Sequence, residues 1–178
     1  MSLLSREDLS GYDLKRWMER PLGYFWSAKH SQIYPELARL EDERLVTHRV
    51  VEQQGKPDKK VFAITDEGRG ALKAWVIEPP GERAARDELV LKAYSVWLAE
   101  PEAAAALFEE QARQHEKQLG HYKEIEAWML ESRGGSPEKM DFDDFASYAA
   151  LRRGIGYERD YAEWCRWVAV GLKGRLSG

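Results

Sequence analysis

Polar side chains that can reach phosphates and base edges are concentrated between residues 29 and 39. Ile33, Leu37 and Leu40 recur there at the spacing of one apolar helix face, so the polar residues occupy the other face. Ser31 is the predicted N-cap, with Pro35 near the first turn. Long donors and a phenol on one exposed helix face suit the major groove of DNA. The residues predicted to contact DNA from this helix are Lys29, His30, Ser31, Gln32, Tyr34 and Arg39.

An earlier helix is predicted to hold this one in place. Ser10 and Asp13 have the S-x-x-D spacing of a capping box, which favours a helix start at that point. That helix, a connection from Pro21 to Lys29 and the second helix would form a helix-turn-helix pair. Taken by itself, the second helix is also compatible with an ordinary amphipathic helix that has a solvated outer face.

A lysine-tipped hairpin is predicted directly after the helix pair. The ranges 45–53 and 61–65 are rich in β-branched residues and favour two pairing strands, with turn chemistry at Gly55 and Pro57. A surface hairpin with lysines is often only a protected sheet edge. After a helix-turn-helix, however, the hairpin would be the wing of a winged helix and would bind phosphate. The predicted phosphate-binding residues are Lys56, Lys59 and Lys60.

Thr65 is the predicted cap of a further helix, which Leu72, Trp75 and Val76 would pack onto the sheet. Two prolines at 79 and 80 end this helix. We therefore expect a first domain over residues 1–78, a linker over 79–86 and a second domain over 87–178.

The second domain is predicted to be helical throughout. A helix over Asp87–Leu98, a long helix from Pro101 to about Ser132 and a final helix over Phe142–Leu176 follow from the apolar spacing. On the first of these, the residues expected on one packed side are Leu89, Ala93, Val96 and Trp97.

The final helix carries two adjacent apolar stripes, which require more than one covering neighbour. A single short domain can hardly supply both neighbours, so we expect a homodimer held by this helix. The second stripe contains Tyr157, Tyr161, Trp164 and Val168. The first stripe, predicted to form the dimer contact, consists of Tyr148, Leu151, Ile155, Ala162, Cys165, Ala169 and Leu172.

The sequence gives little indication of a catalytic or metal-binding site. Glu109, Glu110 and His115 stand in a segment that is polar nearly all round, which favours a solvated helix face over an acid/base or metal site. The single Cys165 is interpreted as a small core residue, and no Cys/His spacing predicts zinc. No glycine-rich phosphate loop or nucleophile motif is present, so neither an enzyme nor a cofactor is predicted.

Composition sets further bounds. The 178 residues allow one large domain or two small ones. A net charge of −4 argues against a chain that coats nucleic acid along its length, but not against a local basic surface. No apolar run is long enough for a membrane span, so a cytoplasmic protein without membrane contact is expected.

Three stretches together resemble the winged-helix domain of the PadR family of transcriptional regulators. They are SGYDLKR from Ser10, FWSAKHSQIYPELARLEDERLV from Phe25 and GKPDKKVFAITDEGRGAL from Gly55. The sequence departs from the family pattern in a shortened first helix and in Arg44, which replaces a glycine before the strand. We expect Arg44 either to adopt the helix-end conformation at some steric cost or to change how the helix ends.

The second half is similar to the larger PadR-type carboxy-terminal domain, in which paired long helices form a homodimer. The resemblance implies a mostly α-helical fold with a small β-wing, in which a winged helix-turn-helix domain precedes an all-α dimerisation domain of long helices. It also implies a homodimeric repressor that binds a pseudo-palindromic DNA operator and is released by a small aromatic effector. The predicted effector residues are Tyr94, Trp97, Trp128, Tyr161 and Trp164.

Three alternatives remain open from the sequence. The aromatic residues could be packing at the dimer contact instead of an effector cage. The winged helix could be a protein-interaction adaptor that binds no DNA, because the charge of the first domain is roughly balanced. An enzyme is the third and most distant alternative, for want of any recognisable catalytic site.

Overall fold

The computed structural model describes residues 1–18, 30–53, 55, 58–81 and 86–175. The chain divides into two compact units, Met1–Arg83 and Ala84–Gly178. Helices dominate both units, and the first also contains a three-stranded antiparallel sheet. The predicted fold class, mostly α with a small β-wing, is confirmed.

The first unit follows the predicted order of helix, helix, hairpin and helix. The hairpin strands β2 and β3 pair with Val46 opposite Ile64 and Val51 opposite Lys59. A two-residue strand that was not predicted, β1, pairs with the other edge of β3, which gives the sheet order β1-β3-β2. The elements of this unit are β1 (Leu9–Ser10), α1 (Gly11–Met18), α2 (His30–Asp42), β2 (Val46–Val51), β3 (Lys59–Ile64) and α3 (Asp66–Ile77).

One apolar core holds the first unit together. The predicted inner face of α2, made of Ile33, Leu37 and Leu40, is buried in it together with strand residues such as Val46 and Phe62. Burying such side chains contributes about 1.5–3 kcal/mol each. Leu4, in the segment before β1, and Leu9 of β1 are also buried in this core.

Two details of the first unit differ from the prediction. Ser31 is not the N-cap of α2, because the helix already includes His30, and Pro35 is its sixth residue. Pro35 therefore costs the backbone bond that an N–H would donate to the Ser31 carbonyl. Trp75 and Val76 are exposed and do not pack onto the sheet. Within the described part of this unit, Leu72 is the residue of α3 that packs partly buried against the core.

The end of α2 is shaped by Arg44, whose φ of +59° places it in the left-handed region. The Leu45 N–H donates to the Leu40 carbonyl at 2.8 Å and the Arg44 N–H donates to the Glu41 carbonyl at 2.9 Å. These are the two bonds of a Schellman motif, which usually has glycine at the Arg44 position. The first of the two expected outcomes for Arg44 is therefore confirmed.

The second unit is an antiparallel pair of long helices with a short helix packed on it. Ion pairs between Glu109 and Lys173 at one end and between Arg133 and Asp144 at the other establish the antiparallel direction. Among the described residues, no helix is long and apolar enough to cross a membrane. The helices of this unit are α4 (Glu88–Tyr94), α5 (Pro101–Ser132) and α6 (Phe142–Gly174), with short 3-10 turns at Val96–Leu98 and Pro137–Lys139.

The first apolar stripe of α6 is covered by the same chain, which contradicts its predicted role in dimerisation. Six of the seven predicted residues are buried against α5, and Tyr148 is partly buried with its hydroxyl bonded to Glu126 at 3.1 Å. The short helix α4 packs over the second stripe. One chain thus supplies both neighbours. The buried residues are Leu151, Ile155, Ala162, Cys165, Ala169 and Leu172.

Trp97 also departs from the prediction. Leu89, Ala93 and Val96 pack against the helix pair as expected, but Trp97 is 78% exposed. The helix ends at Tyr94, and a 3-10 turn follows it. The turn has a different number of residues per revolution, so the α-helical spacing no longer places Trp97 on the packed side.

Candidate nucleic-acid interface

The outer face of α2 is the first part of the candidate interface. Ser31, Gln32, Tyr34 and Arg39 are all exposed and lie outside the helix face that carries the buried core residues. The α-helical spacing keeps one face in the core and leaves the polar face accessible along the described length of the helix. Lys29 and the side chain of His30 lie outside the described residues, as does the predicted connection from Pro21 to Lys29.

Tyr34 lies against the start of α1. A Cβ at Gly11 would come within 2.6 Å of the Cε1 and Cζ atoms of the Tyr34 ring, which is closer than carbon atoms can approach. The absence of a side chain at Gly11 therefore lets the ring rest on the α1 backbone. The glycine thus contributes to the placement of Tyr34.

Arg39 is held by two carboxylates of its own segment. Its Nε and one terminal nitrogen donate to the two oxygens of Glu36 at 3.1 and 2.6 Å, and the other terminal nitrogen donates to Glu43 at 2.5 Å. The hydrogen bonds to Glu36 raise the pKa of Arg39 above its ordinary value, and the bond to Glu43 raises it further. The same bonds lower the pKa of Glu36, so this carboxylate stays ionised at neutral pH.

The wing contributes Lys59 and Lys60, while Lys56 lies outside the described residues. Lys59 begins β3, and its Nζ forms an ion pair with Asp13 of α1 at 2.9 Å. Lys60 is exposed opposite Val50 of β2. Sequence reasoning did not include Arg49, an exposed cation on β2 whose guanidinium lies 3.4 Å from Asp8. Its position in a predicted strand of the lysine-tipped hairpin could have indicated a further phosphate-binding residue.

Asp13 connects the wing to the start of α1. Its carboxylate accepts from the Ser10 hydroxyl at 2.6 Å and from the Ser10 N–H at 3.1 Å, while the Asp13 N–H donates to the Ser10 hydroxyl at 3.2 Å. The predicted capping box is therefore confirmed. The Ser10 hydroxyl, followed by Lys59, lowers the pKa of Asp13 to about 2.

The second unit contains a cluster of polar and aromatic groups. The buried Glu158, only 8% exposed, bonds to His115 Nδ1 at 2.5 Å. The His115 ring lies 4.3 Å from the ring of Tyr161, whose hydroxyl donates to Asp87 at 2.7 and 2.8 Å. Burial, followed by the Asp87 bond, raises the pKa of Tyr161. His115 is thus mostly buried and paired, contrary to its predicted place on a solvated face.

The structure does not bring the five predicted effector residues together. Tyr161 and Trp164 are neighbours, with ring centroids 5.4 Å apart. Tyr94 and Trp97 are exposed. Phe108 of α5 contacts Trp164. Trp128 lies twenty residues further along α5, roughly 30 Å away along the helix axis, and is therefore far from Trp164.

A metal site does not emerge from these groups. Within the described ranges, no three His, Cys, Asp or Glu side chains are grouped so that they could hold a metal ion. Cys165 is buried, and this burial raises the pKa of its thiol to about 11, so the thiol stays protonated.

Both halves of the chain match known families. Residues 1–74 match the transcriptional regulator PadR-like family, and residues 85–173 match the family described as virulence activator alpha C-term. The negative transcriptional regulator PadR of Bacillus subtilis (strain 168) is 37% identical over 171 residues, which cover 92% of this chain and 90% of that protein.

Solved structures agree with these matches. The crystal structure of Bacillus subtilis PadR in complex with operator DNA superposes with a TM-score of 0.82 at 34% identity, over 96% of this chain and 93% of the other. The structure of the same regulator in complex with p-coumaric acid gives a TM-score of 0.73 at 33% identity, over 97% and 95% of the two chains. This chain belongs to the PadR-like family of transcriptional regulators.

Proposed function

We propose that this protein is a sequence-specific, DNA-binding repressor that a small aromatic acid releases from its operator. The observation that carries the proposal is the match over nearly the whole chain to a relative solved on operator DNA, combined with an exposed polar face on α2. In a winged helix, the second helix enters the major groove and the wing contacts the phosphate backbone.

The residues divide by role. The first turns of α2 approach base edges through His30, Ser31, Gln32 and Tyr34, with Lys29 just before the helix and Arg39 further along it. The wing lysines Lys56, Lys59 and Lys60 bind phosphates without reading sequence. Lys59 can do so while paired with Asp13, because an ammonium group has three donors.

The active form is proposed to be a homodimer that binds a pseudo-palindrome. Since the predicted contact residues of α6 are buried within the chain, we assign the contact to the outer side of α4 and the turn after it. Five large apolar side chains are exposed on this short segment, and exposed apolar surface of this kind is typical of an interface. They are Val90, Leu91, Tyr94, Trp97 and Leu98.

The effector is proposed to be a phenolic acid that acts on the cluster around Tyr161. A relative was solved with p-coumaric acid, which carries a phenol and a carboxylate. The cluster already pairs a phenol with the carboxylate of Asp87 and stacks it on an imidazole, so it offers chemistry that such a ligand can use. Nothing in this arrangement calls for catalysis, and we propose a non-enzymatic role in the cytoplasm.

DNA binding is tested by an electrophoretic shift of the protein's own upstream DNA against random DNA of equal length. Gln32→Ala should reduce discrimination between the two by about 1–3 kcal/mol, because a base contact is lost. Lys60→Ala should weaken both complexes alike and flatten the salt dependence, because a phosphate contact is lost. A wild-type protein that shifts neither DNA would support the protein-interaction adaptor instead.

Effector release is tested by titrating p-coumaric acid into the protein–operator complex. Tryptophan fluorescence should change over the concentration range in which the shift is lost. A hundredfold loss of DNA affinity corresponds to a coupling of about 2.7 kcal/mol, within the usual allosteric range. Cinnamic acid, which lacks the phenol, is the matched control and should be weaker. Flat signals across a panel of aromatic acids would assign the aromatic residues to packing.

A further inference from the structure

We infer that Glu36 is the residue of α2 that distinguishes one base pair of the operator, by accepting from the exocyclic amino group of cytosine. In this assignment Arg39 is a positioning residue that orients the carboxylate and balances its charge. The inference rests on the proposed DNA binding by α2 and goes beyond it, because it exchanges the base-reading role expected of Arg39 for one played by its partner.

The position of Glu36 on α2 is the first step. Gln32, Glu36 and Arg39 are spaced by four and three residues, so they form one row along the exposed face of the helix. Glu36 is the middle member of the row, and its side chain is 54% exposed. A groove entered by Gln32 and the next turn therefore brings Glu36 toward the base edges.

The geometry of Arg39 is the second step. Bidentate recognition of guanine requires two parallel donors of a guanidinium, and Arg39 directs such a fork at the two oxygens of Glu36. The remaining terminal nitrogen donates to Glu43. The guanidinium is thus directed along the helix surface. Each Glu36 oxygen accepts one of these bonds and keeps a lone pair for another donor.

Charge is the third step. An isolated carboxylate brought near DNA would be repelled by the phosphates, but Arg39 lies against Glu36 and offsets part of its charge, since the guanidinium is shared with Glu43. Arg39 also keeps the pKa of Glu36 below its ordinary value, so the carboxylate remains an acceptor. In the major groove an acceptor fits amino groups and not the oxygen or nitrogen acceptors of guanine, and cytosine is the base that carboxylates recognise.

The test is a selection of binding sites from randomised duplex DNA with wild type, Glu36→Gln and Arg39→Lys. Wild type should select a C·G pair at one position of each half-site. Glu36→Gln should lose this discrimination by roughly 5- to 150-fold and shift it toward adenine, which an amide binds in bidentate fashion. Arg39→Lys retains the positive charge without the fork and should weaken binding while cytosine stays preferred.

Two controls separate this role from a merely structural one. Glu43→Gln removes the other partner of the same guanidinium and should leave the selected sequence unchanged. Arg39→Ala leaves the Glu36 charge uncompensated and should lose operator affinity, which a second change, Glu36→Gln, should restore in part. Thermal unfolding of each variant establishes that it is folded, with Glu36→Ala as the replacement if Glu36→Gln is not.

The outcomes distinguish this inference from the proposed function. If wild type selects no sequence at all, the proposed DNA-binding function is wrong. If wild type selects a site and Glu36→Gln selects the same one, only the role of Glu36 is overturned. A change of the selected base in Arg39→Lys but not in Glu36→Gln would identify Arg39 as the direct reader.

Discussion

At the scale of single residues, the candidate interface depends on side chains that hold other side chains. Asp13 accepts both polar hydrogens of Ser10 and pairs with Lys59, so one carboxylate joins the start of α1 to the base of the wing. Gly11, next to this site, leaves room for the Tyr34 ring. Small changes here should therefore alter the placement of the DNA-facing groups without any loss of core packing.

Asp13 makes stability depend on acid pH. Its pKa is lowered to about 2 in the folded protein from an ordinary value of 3.8. The stabilisation is present above pH 4 and is lost as the pH falls toward 2. We expect about 1 kcal/mol, since the pair with Lys59 is partly exposed and screened by solvent. Urea unfolding between pH 2 and 6 should show this loss in wild type, whereas equal pH dependence in Asp13→Asn would contradict it.

At the scale of elements, the end of α2 is joined to the start of α3. The Thr65 hydroxyl donates to the Arg44 carbonyl at 2.7 Å and accepts from the Gly68 N–H at 3.0 Å. The Thr65 N–H donates to the Leu45 carbonyl at 3.1 Å. This junction holds the carboxy-terminal end of α2 against the start of α3, which helps to fix the position of a helix presented to DNA.

Arg44→Gly should stabilise the protein. The left-handed conformation costs a side-chain-bearing residue about 1–2 kcal/mol, and glycine avoids this cost while adding up to ~1 kcal/mol of backbone entropy loss. The net gain in the free energy of unfolding should be about 0.5–1 kcal/mol, measured by thermal unfolding. Arg44→Ala retains the strain and is the control; an equal gain from alanine would assign the effect to loss of the arginine side chain.

Gly68→Ala should strongly destabilise the same junction. A Cβ at Gly68 would lie 2.0 Å from the Leu45 carbonyl oxygen, so α3 would have to move away from the end of α2. Such overpacking costs about 1–3 kcal/mol or more. Gly70→Ala is the matched control on the same helix, because its Cβ meets nothing within 4 Å, and it should stabilise by about 0.5–1 kcal/mol. Similar unfolding midpoints for the two variants would refute the packing argument.

At the scale of the whole molecule, each unit has its own core. The second unit also has exposed apolar surface that is not part of its core. The apolar faces of the long helices α5 and α6 pack against each other, and α4 packs on this pair with one of its sides. Its other side remains apolar and exposed. This arrangement favours a dimer in which each chain forms its own core and the short helix α4 makes the contact with the second chain.

Charge placed on the outer side of α4 should therefore dissociate the proposed dimer. Leu91→Glu and Trp97→Glu introduce a charge at exposed positions, so the fold of the chain should survive while the contact between copies is lost. Sedimentation should show a dimer for wild type and monomers for both variants. Ala106→Glu, at an exposed position of α5, is the control and should stay dimeric. If all three remain dimers, the contact lies on another surface.

The sequence by itself determined most of the described elements and their order, with the short strand β1 as an exception. Pro101 as the start of α5, Ser132 as its end, Phe142 as the start of α6 and Thr65 as a cap all agree with the structure. Each depends on local chemistry, such as the missing proline N–H or a hydroxyl that accepts from the first turn. The family and the exposed polar face of α2 followed from the same local patterns.

Only the tertiary structure decided which side chain meets which partner. Spacing showed that α6 has an apolar stripe but not that α5 of the same chain covers it, because periodicity identifies a face and not its neighbour. The pairs Lys59–Asp13 and His115–Glu158 join residues 46 and 43 positions apart, and no local pattern encodes such contacts. Arg39 with Glu36 was within reach of the sequence, but its fork geometry depends on rotamers that become visible only in the folded chain.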